Sequence, residues 1–166
     1  MGRVTVAEGL LDVVSRDTVA LKAHATDWRD AVRLAGRLLL KSGAVNERYV
    51  QRMVDIVDEL GSYIVLVPGL AMPHARPEDG ARRVAVSIVT LKEGVYFPGR
   101  EDSPVFVLVG LSAVDSESHL KVLSQLAELL SDQGLISRLR DVETYEELVA
   151  LIKTVVSARR DEAAEK

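Results

Sequence analysis

Residues 63–80 read YIVLVPGLAMPHARPEDG, and the way this stretch divides decides the fold. Tyr63-Ile64-Val65-Leu66-Val67 is too short for a stable helix and rich in β-branched residues, which predicts a buried strand. Pro68-Gly69 breaks that run, and Leu70-Ala71-Met72 leads into Pro73-His74. Each proline fixes its own φ and restricts the residue before it, so the segment around His74 is stiff. A polar turn from Pro77 to Gly80 follows.

Working upstream, Asn46 reads as the N-cap of a helix that presents Val50, Met53, Val54 and Val57 on one face and stops at Gly61. Before it, Thr26 reads as the cap of a helix with the stripe Ala31, Leu34, Ala35 and Leu38, ending at Gly43. Val19, Leu21, Ala23 and Ala25 alternate as in a strand, after an apolar segment around Leu10 to Val14. Downstream, Val84 to Thr90 and Val105 to Leu111 read as two longer strands. Asp115 to Ser118 opens a helix through Leu120, Leu123, Ala127 and Leu130. Thr144 and Glu147 form a capping box for a last helix that buries Leu148, Leu151 and Ile152. Strands interleaved with helices predict an α/β three-layer sandwich, a mixed sheet with helices on both faces. Two helices in succession before Tyr63 argue against a simple doubly wound order. With no repeat and no linker, residues 1–158 are expected to form one domain, and the charged stretch 159–166 a fraying tail.

The 166 residues are 48% hydrophobic and 28% charged, enough for one continuous core. A net charge of −4 gives no reason to expect nucleic acid or an anionic membrane as partner. There is no cysteine, which excludes a disulfide framework, a thiolate metal site and a cysteine nucleophile. The opening MGRVTVAEGLL lacks a long apolar region, and no apolar run approaches the roughly 20 residues of a membrane helix. A cytoplasmic protein without membrane insertion is expected.

Three histidines then carry the best prospects for chemistry near neutral pH. His24 lies opposite the apolar set of its strand and reads as a surface residue. His74 sits in the stiff loop beyond a strand, where a side chain can be held for attack, although spacing alone leaves a plain loop histidine equally open. His119, in Asp115-Ser116-Glu117-Ser118-His119, starts a helix, where free N–H groups and the helix dipole favour an anion such as phosphate. If the two rings meet, one can act as nucleophile and the other as donor to phosphoryl oxygens. Ser118 is a further candidate for phosphate binding. Arg76 is either a charge at that site or an ordinary surface arginine.

On these residues a resemblance rests. Gly69-Leu70-Ala71-Met72-Pro73-His74 resembles the Gly-x-Ala-x-Pro-His signature of the mannitol/fructose family of phosphotransferase-system IIA proteins. GLAMPHARPEDG, SIVTLKEGVYF and LSAVDSESHL look most like its ascorbate-type branch, and the similarity runs from about Leu10 to the last helix, including Arg48-Tyr49. The resemblance implies a phosphotransferase without a cofactor or metal. His74 would be phosphorylated by phospho-HPr, with His119 assisting, and the phosphoryl group would pass to a cysteine of a IIB component that serves a IIC membrane transporter. One departure stands out: mannitol-type members carry an arginine in the helix before the Tyr63 strand, where this chain has Ile56, Val57 and Asp58. Arg48 or Arg76 would have to supply that charge.

Two other classes compete. A stand-alone regulatory IIA-like protein would use the same histidine to control binding to other proteins. A metal hydrolase would need His74, His119 and Asp115 or Glu117 around one ion, a spacing that matches no compact ligand motif. No Gly-x-Ser-x-Gly element supports a serine hydrolase.

Overall fold

In a computed structural model, which describes residues 11–130 and 132–164, one five-stranded sheet organises the chain. The strands are β1 (Val19–Ala23), β2 (Val65–Val67), β3 (Leu70–Ala71), β4 (Ala85–Val95) and β5 (Val105–Ser112). Their spatial order is β1-β4-β5-β3-β2. β1 with β4 and β3 with β5 are parallel, whereas β4 with β5 and β2 with β3 are antiparallel. The mixed three-layer arrangement expected from the sequence is therefore present.

The helices are α1 (Trp28–Lys41), α2 (Glu47–Leu60), α3 (Ser116–Leu130), α4 (Gln133–Asp141) and α5 (Tyr145–Ala164). α1 and α2 cover one face, where Val32, Leu39, Met53 and Val57 pack on Val89 and Leu108. α3, α4 and α5 cover the other, where Leu126, Leu139 and Leu148 pack on Val86, Val107 and Leu111. Successive residues of β4 and β5 feed opposite cores, which is why these strands are apolar almost throughout rather than alternating. Among the described residues no helix is long and apolar enough to cross a membrane.

Local capping chemistry matches the expectation in places and departs from it in others. Asn46 caps α2 by accepting the Tyr49 N–H (3.0 Å), and Gly61 ends that helix at a φ of 85°. Asp27, not Thr26, caps α1: its carboxylate accepts the Asp30 N–H (2.8 Å), while Thr26 donates its own N–H to Asp30. The buried stripe of α1 is Ala31, Val32, Ala35 and Leu39, with Leu34 and Leu38 only flanking it. In α3 the stripe is Val122, Leu126 and Leu130, and Leu120 is 63% exposed. The side chain of Ala127 lies outside the described residues, as do residue 10 and everything before it. Thr144 caps α5 through the Glu147 N–H (3.1 Å), but the Glu147 carboxylate returns to the Glu143 N–H. α5 continues to Ala164, so the charged stretch set apart as a tail begins inside the helix.

The predicted buried strand at Tyr63–Val67 is the largest correction. Only Val65–Val67 pairs, and it does so at the edge of the sheet, leaving Tyr63 and Leu66 exposed while Ile64 and Val65 are buried. β2 is an edge because Pro68-Gly69, with Gly69 at a φ of 92°, reverses the chain so that β3 takes the inner position beside β5. α4 was not expected at all: it is nine residues long, capped by Asp132 and rich in polar residues, yet buries Leu135 and Leu139.

The loop after β3 is docked on the junction between α1 and α2. Asn46 donates its N–H to Gly80 (3.0 Å), and Arg82 donates to Ala44 (2.8 Å). Gly80 has a φ of 132°, and a Cβ there would lie 2.0 Å from Asn46 Oδ1, the atom that caps α2. Gly80→Ala is expected to lower stability by about 1–3 kcal/mol, because it strains the backbone and displaces the cap. The urea midpoint should fall with its slope unchanged; an unchanged midpoint would show that the loop tolerates a side chain here.

Candidate functional site

β3 and β5 run parallel, so the segments leaving their carboxyl ends emerge side by side. His74 follows β3 and makes an isolated parallel bridge with Leu111 of β5. The Leu111 N–H donates to the Pro73 carbonyl (3.3 Å), and the Met72 N–H to Ile64 (2.8 Å). His119 follows β5, in the first turns of α3. The two rings, far apart in sequence, meet with centroids 5.1 Å apart and planes tilted by 56°.

The His74 ring is half-buried, and its Nδ1 lies 2.8 Å from the Met72 carbonyl oxygen. A carbonyl only accepts, so Nδ1 must carry the proton and donate. In the neutral ring Nε2 is then left with its lone pair and can act as a nucleophile. Burial holds the His74 pKa below the ordinary histidine value; the Met72 bond opposes that shift and the neighbouring His119 adds to it. The ring thus stays neutral at and somewhat below neutral pH.

His119 is also half-buried, and burial lowers its pKa while the Glu78 carboxylate pulls it back up. Its Nδ1 is shielded from solvent and has no hydrogen-bond partner among the described residues. A buried polar atom without a partner is costly, and an incoming anionic oxygen would relieve that cost.

The remaining candidates fall into different surroundings. The Ser118 N–H donates to the Asp115 carboxylate (2.7 Å) and its hydroxyl to the Asp115 carbonyl (3.2 Å), so Ser118 closes the cap of α3. Arg76 is exposed, and its charge is close enough to lower the Tyr63 pKa against the upward push of burial. Arg48 reaches towards Asp79 (4.0 Å), as Arg52 does through Nε (3.7 Å). Asp79 is buried and also accepts the Arg76 N–H (3.0 Å). Of the two arginines considered as a replacement charge, Arg48 is thus directed to Asp79, whereas the charge of Arg76 acts on Tyr63, whose ring faces His74. His24 lies beyond β1 and is exposed. No group of three or more His, Asp or Glu side chains that could hold a metal ion occurs among the described residues.

Two residues of the site were not anticipated. Tyr63 stands edge-on to His74, with centroids 6.0 Å apart and planes at 89°. Glu78 bears on His119 from the turn after Pro77. A single aromatic hydroxyl in an otherwise aliphatic run was the one available signal for Tyr63; Glu78 offered none beyond its place in the loop.

Because both rings are buried as neutral groups, the unfolded chain takes up their protons first on acidification. Stability is therefore expected to be fully present above about pH 6.5 and to fall as the pH drops towards the lowered folded values. His74→Gln should flatten part of that slope in denaturant titrations run from about pH 7 to pH 5. An unchanged slope would contradict a buried neutral His74.

The sequence matches the family described as phosphoenolpyruvate-dependent sugar phosphotransferase system, EIIA 2, over residues 12–155. An ascorbate-specific EIIA component of Salmonella choleraesuis is 37% identical over 141 residues, covering 84% of this chain and 92% of its own. The solution structure of the mannitol-specific cryptic phosphotransferase enzyme IIA from Escherichia coli superposes with a TM-score of 0.78 at 36% identity, covering 86% and 97% of the two chains. Mannitol enzyme IIA from Escherichia coli, solved in complex with phosphorylated enzyme IIB, does so with a TM-score of 0.74 at 28% identity, covering 85% and 97%. The loop that carries His74, the helix start that carries His119 and the sheet that joins them thus belong to a member of the sugar phosphotransferase EIIA family.

Proposed function

We propose that this protein accepts a phosphoryl group from phospho-HPr on Nε2 of His74 and passes it to a cysteine of a IIB component. The observation that carries this reading is the Met72 carbonyl bound to Nδ1, which leaves Nε2 unprotonated and 5.1 Å separates that ring from the second one. In the first half-reaction the Nε2–phosphorus bond forms as the donor's bond to phosphorus breaks. In the second, a cysteine thiolate of IIB forms the new bond to phosphorus and Nε2 leaves with its electron pair. The proton stays on Nδ1 throughout, donated to the Met72 carbonyl. Such transfers ask for in-line positioning and for donors around the equatorial oxygens, not for covalent help beyond the nucleophile.

His119 is the donor in this account. Its unpartnered Nδ1 and its place in the first turns of α3 suit a group that stabilises an anion without bonding to it. Arg76 adds charge from the exposed side. The functional unit is residues 1–158, working in the cytoplasm beside a IIC transporter. The ascorbate-specific relatives favour an ascorbate-type system, and the complex of the Escherichia coli mannitol protein with phosphorylated IIB supports a IIB acceptor.

Incubation with phosphoenolpyruvate, enzyme I and HPr should add one acid-labile, base-stable phosphate per chain. His74→Ala should abolish labelling while the fold persists. His119→Ala should still accept phosphate but pass it to IIB slower by about 10²-fold, the usual cost of losing one positioned donor. Labelling that survives His74→Ala would end the proposal, and onward transfer at the parent rate in His119→Ala would remove the second histidine from it.

A further inference from the structure

The ring of Tyr49, on the first turn of α2, is completely buried in the core beneath the His74 loop. Packing alone would be served by phenylalanine, and a buried phenol is costly unless its hydroxyl is bonded. This hydroxyl makes its bonds to the backbone on either side of the histidine. It accepts the Ala75 N–H (3.1 Å) and lies 2.7 Å from the Leu111 carbonyl oxygen and 3.2 Å from that of Ala75. Having a single proton, it donates to one carbonyl at a time, Leu111 being the nearer. Ala75 is the residue after His74, and Leu111 is the β5 residue bridged to His74.

We infer that Tyr49 is a positioning residue for phosphoryl transfer: its hydroxyl sews the peptide after His74 to β5 and so holds Nε2 in line with the incoming phosphorus. This rests on His74 being the nucleophile. The hydroxyl acts through its hydrogen bonds to the backbone of Ala75 and Leu111. Burial raises the Tyr49 pKa far above its ordinary value, so the phenol keeps the proton that the tie requires. A second tie secures the same loop one residue on, where Asp79 accepts the Arg76 N–H. Without the hydroxyl, the Asp79 tie and the Leu111 N–H bond to Pro73 would remain, but the Ala75 N–H, on the far side of His74, would lose the group that links it to Leu111. Displacements of about 1 Å at a reacting group can cost on the order of 10²-fold in rate.

The test is Tyr49→Phe in the full chain, with initial rates of transfer from phospho-HPr and ¹⁵N spectra of the histidine rings. Expected are a kcat lowered about 10-fold or more with KM for phospho-HPr unchanged, and a His74 signal that shifts away from the pure Nδ1–H tautomer. Ser87→Ala is the control for lost stability, since it deletes another buried hydroxyl, bonded to the Ala35 carbonyl (2.9 Å) away from the site. It should transfer at the parent rate. Should Tyr49→Phe not fold, amide exchange in the parent still decides: the Ala75 N–H should be strongly protected, and fast exchange would overturn the inference. Transfer by Tyr49→Phe at the parent kcat, or slowing with an unaltered tautomer, would overturn it while leaving His74 in place. A parent chain that takes no phosphate on His74 would overturn the proposed function and this inference together.

Discussion

The hydrogen bond from Nδ1 of His74 to the Met72 carbonyl is the contact on which the rest of this site depends. It decides which ring nitrogen holds the proton and therefore which one has a lone pair to offer. The bond needs the backbone from Met72 to His74 held against the ring it orients. Pro73 restricts the Met72 backbone, and the Met72 N–H is already bound to Ile64. On the other side the Leu111 N–H holds the Pro73 carbonyl. The orientation and tautomer of the His74 ring are thus set by main-chain geometry.

Sheet topology explains why a second imidazole is within reach. β3 is only two residues long, yet it lies between β2 and β5 and runs parallel to β5. Parallel neighbours deliver their following segments to the same end of the sheet, the usual location for ligand sites in α/β folds. The segment after β3 brings His74, and the one after β5 becomes the capped start of α3 with His119. Two apolar cores, one on each face, hold β4 and β5 between them. Burial then lowers the pKa of both rings and favours their neutral forms, which the phosphoryl transfer proposed for His74 would require.

How much of this was legible followed from how local each cause is. Asn46 with Tyr49, Gly61 and Thr144 with Glu147 are short-range capping chemistry, readable from a few neighbouring letters. The three-layer fold and the pairing of His74 with His119 were also readable, the latter through the resemblance of the Pro-His segment and the DSESHL helix start. Exposure was not. Tyr63–Val67 looks like an inner strand because its composition is that of one, and only the reversal at Gly69 makes it an edge. The buried stripes of α1 and α3 differ from the predicted ones by a residue or two for the same reason: which side of a helix meets the sheet is set by the far partner. Ser118 illustrates a third limit, since its position at a helix start suits an anion but Asp115 takes both its donors first. The tautomer of His74 lies beyond any pattern of residue types, because it is fixed by one carbonyl oxygen 2.8 Å away.

The regiochemistry of the phosphohistidine tests that constraint most directly. Phosphorylating the ¹⁵N-labelled chain and recording the phosphorus–nitrogen couplings of its histidine would identify the bonded atom. The account predicts a single species, phosphorylated at Nε2 of His74, with the proton retained at Nδ1. Phosphate at Nδ1 of His74, or on His119, would contradict it.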